Sequence, residues 1–420
     1  MVDAYKIIKK CRLCGGTDLE QFLNFSEVPL GNNYQHSFSL AKSAETYPLG
    51  VQCCKNCCHI QLTHSIFPSI LYATNYTYLT GVGESFVKHL ELYSAWVAKR
   101  VGLRRGSLIV DIGSNDGSCL SFFKEKGFRV CGVDPASMPA KIANKKGVET
   151  INDFFSRDVL ENIISLHGQP SLVTSHNVLA HVEDIQETLH LIYDLLERDG
   201  WFCMEVGYFG AVKNKNLFDT IYHEHLDYHH ASPLIKYLTS IGFFIHQVEF
   251  NEIQGGSIRL LAQKARESGQ SQQVLDIVEA EKQKSTFKLE TLLLWQSDIE
   301  KKMSVLEKIV KKAVSEGLSI VGYGAPTKAT LLLKLSGLST NELDYVVEDN
   351  DLKVGRFLPG TALEIKHSAS LESDRPDIII VFAWNFYDDI IKKLQENLSY
   401  DPEIICPLPE LVRYSLNWKT

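Results

Sequence analysis

Ser107-Leu-Ile-Val-Asp-Ile-Gly113-Ser-Asn-Asp-Gly117 is a short apolar run that ends in a glycine turn, and the residues after it have a helical pattern. The stretch therefore predicts a strand, a glycine-rich loop and a helix, the first crossover of a doubly wound α/β domain. A second apolar run, Arg129-Val-Cys-Gly-Val-Asp134, follows at the distance expected of the next strand. The carboxylate of Asp134 is thus placed to accept hydrogen bonds from ribose hydroxyls.

The glycine spacing indicates which ligand this loop binds. A dinucleotide fold uses G-x-G-x-x-G so that a helix N-terminus can approach a pyrophosphate, whereas here Asp111 precedes the first glycine and there is no middle glycine. An acid at that position suits a cationic ligand without phosphate. The D-x-G-x-x-x-G pattern resembles motif I of the class I S-adenosylmethionine methyltransferases, although a domain that binds NAD, or no ligand, stays open on this motif alone. Residues 171–177 and 200–206 are predicted as the fourth and fifth strands.

Composition bounds the architecture. The 420 residues, 45% of them hydrophobic, exceed what one core usually holds, so at least two domains are expected. The net charge of −8, without a long basic run, disfavours general nucleic-acid binding. The first residues lack the apolar core of a signal peptide, and no stretch approaches the roughly 18 apolar residues of a membrane span. We therefore expect a cytoplasmic protein without membrane contact, whose cysteines are thiols or metal ligands rather than disulfides.

Two C-x-x-C knuckles near the start of the chain predict a metal site. Each knuckle places two thiolates about one tight turn apart, and four thiolates match a closed, structural zinc site. The predicted ligands are Cys11, Cys14, Cys54 and Cys57. Few strongly periodic runs lie between the knuckles, so burial alone would not hold this module together and the metal would supply stability.

The second knuckle leaves alternatives open. Cys53 and Cys58 flank the pair, so two registers of C-x-x-C overlap, and Cys53 or His59 could replace a ligand. A disulfide reading conflicts with the expected compartment. Cysteines buried separately as small hydrophobic residues are the other alternative. Zinc at a structural site remains the prediction.

Histidines cluster after the predicted fourth and fifth strands. Asn177-Val-Leu-Ala-His181 follows the fourth, and Tyr222-His-Glu-His225 follows the fifth, near the cofactor end of such a sheet. The two histidines of the second stretch are two residues apart and cannot share a helix face as in H-E-x-x-H metalloproteases. A single histidine is more often structural, but a phenol, a carboxylate and two imidazoles in four residues indicate general acid/base chemistry.

Several motifs, taken in order, resemble one family, the sugar C-methyltransferases. They are the two cysteine knuckles with Ile60-Gln-Leu62, Tyr76-Thr-Tyr-Leu-Thr-Gly81, Val110-Asp-Ile-Gly-Ser-Asn-Asp-Gly117, Asn177-Val-Leu-Ala-His181-Val, Tyr222-His-Glu-His225-Leu and Gly255-Gly-Ser-Ile-Arg259. The resemblance spans nearly the whole chain and implies an enzyme that methylates C3 of a nucleotide-linked 4-keto deoxyhexose. It also implies three parts: a zinc-binding module (1–72), a class I methyltransferase core (73–271), and a linker helix with a second, C-terminal Rossmann-like domain (272–420).

The resemblance assigns roles to the histidine clusters. His225 is the expected base that removes the C3 proton, with Tyr222 and Glu224 orienting it or hydrogen-bonding the enolate. Tyr76 and His181 would complete the pocket. His223 would face the other way in an extended segment, so it is expected to be structural. The predicted cofactor-binding residues are Asp111, Gly113, Asn115, Gly117, Asp134 and Asn177.

One position departs from the family pattern. Many relatives have a histidine where this chain has Gln254, so no histidine role transfers to that point. Gly255 and Gly256 instead predict a close backbone approach beside the active site.

The last third predicts a long helix and a second glycine turn. Apolar residues near 3.6 spacing run from Ser285 to Val310 and are expected to brace the domains. In Leu318-Ser-Ile-Val-Gly-Tyr-Gly324-Ala-Pro-Thr-Lys328, backbone amides at a helix N-terminus are expected to form an anion site, with Lys328 adding charge.

The resemblance extends this expectation to the nucleotide sugar. The G-Y-G-A-P-x-K, K-x-G-R-x-x-P-G and A-W-N runs recur in the family, which implies sugar-nucleotide contacts from Gly324, Lys353, Arg356 and Asn385. A purely scaffolding role of Lys353 and Arg356 stays open, since such side chains are mostly solvated.

The sequence thus predicts an α/β enzyme of three parts that transfers a methyl group from S-adenosylmethionine to C3 of a nucleotide-linked 4-keto-6-deoxy sugar. The alternatives are a methyltransferase of the same fold acting on another small molecule, and a catalytically silent module that binds S-adenosylmethionine and zinc. The intact cluster from Tyr222 to His225 argues against the silent module. A monomer or a weak homo-oligomer is expected.

Overall fold

The computed structural model describes residues 4–71 and 79–416. In those ranges the chain forms three sheets of four or more strands, a two-stranded ribbon and the helices that cover them. The predicted α/β class is correct. No helix within this part of the chain is long and apolar enough to cross a membrane.

The N-terminal part is built on a small antiparallel sheet. Its elements are β1 (Tyr5–Ile7), β2 (Leu19–Pro29), α1 (Phe38–Lys42), β3 (Thr46–Cys54), β4 (Ile60–Leu62), β5 (His64–Ile66) and α2 (Pro68–Leu71). Strands β2, β3 and β4 pair antiparallel, and β1 pairs with β5. The sequence of this part shows little strand periodicity although the part forms a sheet. The reason is that register shifts in β2, between Gln21 and Leu23 and between Asn24 and Glu27, interrupt the alternation of buried and exposed residues.

The middle part carries an eight-stranded sheet in the order β14-β12-β13-β10-β9-β6-β7-β8. Its elements are α3 (Glu84–Arg100), β6 (Leu108–Ile112), α4 (Ser118–Glu125), β7 (Arg129–Val133), α5 (Ser137–Lys145), β8 (Thr150–Ile151), α6 (Arg157–His167), β9 (Leu172–His176), α7 (Ile185–Leu195), β10 (Trp201–Gly207), α8 (Phe209–Asn214), β11 (Asp227–Tyr228), α9 (Ala231–Ser240), β12 (Phe243–Asn251), β13 (Ser257–Lys264) and β14 (Gly269–Gln270). Strands β8 to β10 run parallel with β6 and β7, and β13 lies antiparallel beside β10. The four predicted strands of this sheet are confirmed as β6, β7, β9 and β10.

One short strand connects the middle part to the N-terminal sheet. After β10 the chain leaves the large sheet, and β11 pairs antiparallel with β4. The segment between α8 and α9 is therefore an insertion that reaches the zinc module. This insertion contains the cluster from Tyr222 to His225.

The C-terminal part has a second parallel sheet in the order β17-β16-β15-β18-β19-β20, in which β20 alone is antiparallel to its neighbour. Its elements are α10 (Gln272–Gln283), α11 (Leu289–Leu293), α12 (Trp295–Ser315), β15 (Ile320–Tyr323), α13 (Ala329–Ser336), β16 (Val346–Glu348), β17 (Ile365–His367), α14 (Ser370–Asp374), β18 (Ile378–Val381), α15 (Tyr387–Asn397), β19 (Glu403–Cys406) and β20 (Val412–Ser415). The predicted second strand–turn–helix is confirmed as β15 and α13.

The helix predicted from Ser285 is interrupted. A 3-10 turn at Ser285–Phe287 precedes α11, and the regular helix begins only at Trp295. Leu293 and Leu294 are largely exposed, so the run of leucines at this point is not one continuous buried stripe. The helix predicted for the residues after Trp295 is confirmed as α12.

One apolar core extends across the predicted boundaries. A single cluster of buried side chains contains Phe22 of β2, Phe218 of the insertion, Trp295 of α12 and Leu332 of α13. The two faces of the large sheet carry their own clusters. The N-terminal and C-terminal parts are thus packed against each other around the insertion, and the division at residues 72 and 271 stays a prediction.

Candidate active site

The loop after β6 has the geometry of a ligand-binding turn. Gly113, Asn115 and Gly117 all have positive φ, at 73°, 48° and 75°. A Cβ at Gly113 would overlap the side chain of Val178, which follows β9, so only glycine fits between the two strand ends. The backbone N–H of Asn115 donates to the carboxylate of Asp134, 2.8 Å away at the end of β7. The turn and the neighbouring strand are therefore joined where a cofactor is expected.

The charge around this loop decides between the candidate cofactors. Asp111 and Asp134 are buried, and burial raises the pKa of the Asp134 carboxyl. Asp116 adds a third carboxylate, which pairs with Lys146 at 3.2 Å. Three acids would repel a pyrophosphate but attract the sulfonium and ammonium groups of S-adenosylmethionine. The residues present fit that cofactor and disfavour NAD.

A neighbouring segment closes over the same loop. The backbone N–H of Thr80 donates to the side-chain oxygen of Asn115, and that of Gly81 donates to the carboxylate of Asp116. Asn177 sits at positive φ just after β9, and its N–H donates to the carbonyl of Glu205 on β10. The predicted cofactor residues thus lie along the carboxyl ends of β6, β7 and β9. Tyr76, predicted beside them, lies outside the described residues.

The cluster from Tyr222 to His225 is a tight turn rather than an extended segment. The N–H of His225 donates to the carbonyl of Tyr222 at 3.0 Å, which brings the two side chains to the same side. Nδ1 of His225 lies 2.9 Å from the carbonyl of Thr220, and because a carbonyl only accepts, Nδ1 carries the proton. Nε2 is then the acceptor, and the Tyr222 hydroxyl donates to it at 2.8 Å.

Burial keeps this histidine neutral. Removal from water, together with the nearby His181 ring, lowers the pKa of His225 to about 3. The His181 ring packs edge-to-face on His225, with ring centroids 4.7 Å apart. Burial also lowers the pKa of His181 to about 4, opposed by a hydrogen bond to the backbone of Glu224. Both imidazoles are thus available as bases or acceptors at neutral pH.

Glu224 is held by a residue of the N-terminal part. Its two carboxylate oxygens accept hydrogen bonds from the side-chain amide of Asn32, at 3.1 and 2.9 Å. Burial raises the pKa of Glu224 to about 7, and the Asn32 bond opposes that rise. The carboxyl group therefore titrates near neutral pH. His223 points elsewhere, to the carbonyl of Tyr47 at 3.2 Å, despite the turn that replaces the expected extended segment.

Residues that the sequence did not single out support this turn. Asn32 accepts a hydrogen bond from the hydroxyl of Thr327, in the C-terminal glycine loop. The Trp384 indole donates to Asp219, one residue before the Thr220 carbonyl that orients His225. Both partners come from distant parts of the chain, so no local signal in the sequence marks them.

The four predicted cysteines converge. Sγ of Cys11 lies 3.6 Å from that of Cys57, and Sγ of Cys14 lies 3.6 Å from that of Cys54. All four sulfur atoms lie within 4.8 Å of one another. A tetrahedron with zinc–sulfur bonds near 2.3 Å has sulfur atoms about 3.8 Å apart, so the cluster fits Zn²⁺ with no position open for substrate.

The alternative ligands lie elsewhere. Cys53 is buried next to this group, where burial raises its pKa to about 12, and neither it nor Cys58 belongs to the cluster. Nε2 of His59 bonds Asp227 at 2.8 Å instead. The register Cys54/Cys57 is thus the one that the fold brings together.

Two amides of the predicted anion site in the C-terminal glycine loop have partners within the chain, and the site itself stays a prediction. The N–H of Ala325 already donates to the carboxylate of Glu348, and that of Gly324 donates to the carbonyl of Val347. A carboxylate from the end of β16 therefore binds one amide of this loop. Gly324 is required for packing, because a Cβ there would lie 2.5 Å from that of Ala383.

The predicted basic residues of this region have different surroundings. Nζ of Lys353 donates to the carbonyl of Ala325 and to Glu348, so it holds the same loop. Nζ of Lys328 lies 3.6 Å from the centre of the Trp384 ring and 3.9 Å from Asp219, rather than over the loop amides. Burial lowers the pKa of Lys328 to about 8.

The other two predicted sugar-nucleotide contacts, Arg356 and Asn385, stay predictions. Arg356 is half-buried in the turn before β17. Asn385 follows Trp384, and its side-chain oxygen is buried with no hydrogen-bond partner in the part of the chain that the structure describes. A buried amide oxygen without a partner is rare in proteins and suits a ligand donor.

The strand order, the acidic glycine loop and the adjacent acid/base cluster define an S-adenosylmethionine-dependent methyltransferase of class I fold with a structural zinc module. Comparison with known protein families agrees along the chain. Residues 11–72 match a "Putative zinc binding domain", residues 86–248 a "Methyltransferase domain", and residues 252–409 a "C-methyltransferase C-terminal domain".

The C-methyltransferase NovU of Streptomyces niveus is 33% identical over 411 residues, which cover 98% of each chain. The chain therefore belongs to the C-methyltransferase family. The ubiquinone biosynthesis O-methyltransferase of Erwinia tasmaniensis is 26% identical over 107 residues, 25% of this chain and 44% of that protein. Among solved structures, the magnesium protoporphyrin IX methyltransferase of Synechocystis PCC 6803 aligns with a TM-score of 0.33 and 17% identity, over 42% of this chain and 79% of that one.

Proposed function

We propose that this C-methyltransferase acts on C3 of a nucleotide-linked 4-keto-6-deoxyhexose, through an enolate that His225 generates. The observation that carries the proposal is the state of His225. Its protonated Nδ1 is fixed by the Thr220 carbonyl, and its basic Nε2 faces the Tyr222 hydroxyl. A methyltransferase that acts on an already nucleophilic oxygen or nitrogen has less need of such a buried, oriented base.

The chemistry requires both a base and a neighbouring carbonyl. A carbon atom becomes nucleophilic when its C–H bond breaks and the electron pair delocalises into an adjacent C4 carbonyl. Once the substrate has displaced the Tyr222 hydroxyl from Nε2 of His225, the lone pair of Nε2 accepts the proton, and the new C3=C4 enolate then forms a C–C bond to the methyl group. S-adenosylmethionine supplies that methyl group from a sulfonium, whose electron pair returns to sulfur as the S–CH₃ bond breaks.

The low pKa of His225 fits this role when substrate is bound. Burial and the neighbouring His181 ring disfavour an imidazolium, and they lower the pKa of His225 to about 3. An enolate that forms beside the ring pairs with the imidazolium as both charges develop, so it stabilises the charged form where burial does not. Before substrate binds, the Tyr222 hydroxyl fixes the ring orientation through Nε2. We assign to Glu224 a hydrogen bond to the C4 oxygen, which its protonated form would donate.

The junction with the C-terminal part supports a substrate with a nucleotide. Trp384 contacts Asp219 of the insertion, and a Cβ at Gly255 would lie 3.2 Å from the Trp384 ring. The catalytic turn and the end of β18 are thus adjacent. We propose that Asn385 and Arg356 contact the nucleotide, whereas Gly324, Lys328 and Lys353 shape the loop beside it.

The test is incubation with S-adenosylmethionine and a panel of 4-keto nucleotide sugars. The expected product carries one added methylene unit by mass, and C3 exchanges its proton in heavy water. His225→Ala should bind S-adenosylmethionine normally but lose exchange by at least about 100-fold. His190→Ala, an exposed histidine on α7, is the control.

Three outcomes would contradict parts of the proposal. If cofactor binds but no sugar nucleotide is methylated or exchanges, the substrate assignment fails, and another enolisable small molecule is the alternative. If methylation proceeds in His225→Ala, the base is elsewhere, with His181 as the next candidate. If no acceptor of any class is methylated, the protein is a binding module.

A further inference from the structure

Arg12 sits inside the first zinc knuckle, between Cys11 and Cys14, and its side chain bonds residues far along the chain. The side chain is 7% exposed. Its backbone N–H donates to the side-chain oxygen of Gln61 at 2.8 Å, and the amide of Gln61 donates to the carbonyl of Lys10 at 3.1 Å. The knuckle is therefore fixed to β4 on both sides of Cys11, directly before the Arg12 side chain.

The guanidinium contacts two segments at once. Its Nε lies 3.0 Å from each carboxylate oxygen of Asp227, which is wholly buried. Its two terminal nitrogens donate to the carbonyls of Val182 and Glu183, at 2.6 and 3.1 Å. Planar guanidinium groups fix the relative positions of their acceptors because their donors are rigidly arranged.

The acceptors adjoin the two histidines of the candidate active site. Val182 and Glu183 directly follow His181, and Asp227 is two residues after His225. The two histidine rings pack against each other with centroids 4.7 Å apart. One arginine thus bridges the chain just beyond both rings.

The two segments are also joined to each other by hydrogen bonds close to Ala180, among them one from His229 to the Leu179 carbonyl at 3.2 Å and one from His181 to the backbone of Glu224. The N–H groups of Leu226 and Asp227 both donate to the carbonyl of Ala180, at 2.7 and 3.3 Å. These bonds share one acceptor, so they act as a pivot about that point. The guanidinium adds contacts on the far side of the pivot, and these resist rotation of one segment against the other.

We propose that Arg12 is a positioning residue for the methyl transfer: it holds the His181 segment and the His225 segment at their working separation. This inference rests on the proposed roles of the two histidines. It also gives the zinc site a catalytic consequence without any contact between metal and substrate, because the metal fixes the knuckle that carries Arg12. A displacement of about 1 Å at a reacting group can lower a rate by about 100-fold.

The test compares variants of the intact protein. Arg12→Gln removes both the charge and the planar set of guanidinium donors, whereas Arg12→Lys keeps the charge but removes the planar set of donors. The control is Lys55→Gln, because Lys55 holds the equivalent place in the second knuckle and is exposed, where it pairs with Asp18 and Glu20. Zinc content, S-adenosylmethionine affinity, kcat and KM are measured for each.

The expected result is a selective loss. Arg12→Gln should keep one zinc per chain and bind S-adenosylmethionine within about twofold, while kcat falls by about 10- to 100-fold. Arg12→Lys should lie in between, and Lys55→Gln should match the wild type. Without any sugar substrate, ¹⁵N NMR of the His225 ring should show that the slowly exchanging Nδ1–H of the wild type is lost or broadened in Arg12→Gln.

The proposal is overturned if Arg12→Gln keeps its kcat and its His225 signal, or if zinc or cofactor binding falls in parallel with kcat. If Arg12→Gln does not fold, the proposal is tested with Asp227→Asn instead, which changes the carboxylate that Arg12 contacts. Asp227→Asn should lower kcat similarly, and combining it with Arg12→Lys should add little further loss, whereas additive losses would refute a shared function. A wrong sugar substrate would leave kcat unmeasured, but the NMR arm would still decide the role of Arg12.

Discussion

The side-chain amide of Asn32 donates to both carboxylate oxygens of Glu224, at 3.1 and 2.9 Å, across 192 residues of chain. Asn32 in turn accepts from the hydroxyl of Thr327. A residue of the N-terminal part, one of the insertion and one of the C-terminal part thus form a single hydrogen-bonded chain. The zinc module is therefore part of the wall of the candidate active site.

Asn32→Ala should destabilise the protein and weaken catalysis. It leaves the buried carboxyl of Glu224 without its donor, and leaving a buried polar group unpaired costs about 1–3 kcal/mol. Denaturant unfolding at pH 8 should register that loss in the free energy of unfolding. Asn33→Ala, at the next amide along the chain, is the matched control, and an equal effect of both substitutions would contradict the specific role of Asn32.

Glu224 should make stability depend on pH. Its folded pKa of about 7 lies above the ordinary glutamate pKa of 4.5, so the folded state holds the proton more tightly than the unfolded state. The stability that this provides is complete below about pH 4.5 and is lost as pH rises through 7, by up to roughly 3 kcal/mol. Glu224→Gln removes the titration, so the variant should gain stability relative to the wild type between pH 4.5 and 8. Parallel stability curves would show that Glu224 titrates normally.

The strand and loop from 107 to 117 were predictable because their determinants are local. Five buried residues form β6, and Gly117 adopts a positive φ where α4 begins. The knuckles were predictable for the same reason, since each pair of thiols is one turn apart. Asn32 and Arg12 were not, because their importance comes from partners that only the folded chain brings near.

The partners of the C-terminal loop were not predictable for a related reason. A glycine turn before a helix does predict exposed amides, but Glu348 at the end of the next strand reaches back and bonds Ala325. A carboxylate in that position cannot be distinguished by sequence from one that faces a ribose. The tertiary fold therefore decides whether such a turn binds a ligand or its own chain.

Cys54→Ala should abolish zinc binding, whereas Cys53→Ala should not. The two residues are neighbours and both are buried, but only Cys54 belongs to the sulfur cluster. Metal analysis after gel filtration should find one zinc per chain in the wild type and in Cys53→Ala. The thermal midpoint should fall only with Cys54→Ala, because a structural zinc site contributes folding free energy. Retained zinc in Cys54→Ala would indicate the overlapping register instead.

Gly324→Ala should destabilise the C-terminal part more than Gly317→Ala does. Both glycines have positive φ, at 89° and 79°, so alanine pays a similar backbone penalty of about 1–2 kcal/mol at each. They differ in their surroundings: a Cβ at Gly317 meets no atom within 4 Å, but one at Gly324 lies 2.5 Å from the Cβ of Ala383. Overpacking should therefore add about 1–3 kcal/mol at Gly324 alone. Urea unfolding of the two variants measures the difference, and equal losses would mean that the loop moves to accommodate the methyl group, so that its close packing against β18 is not what requires glycine.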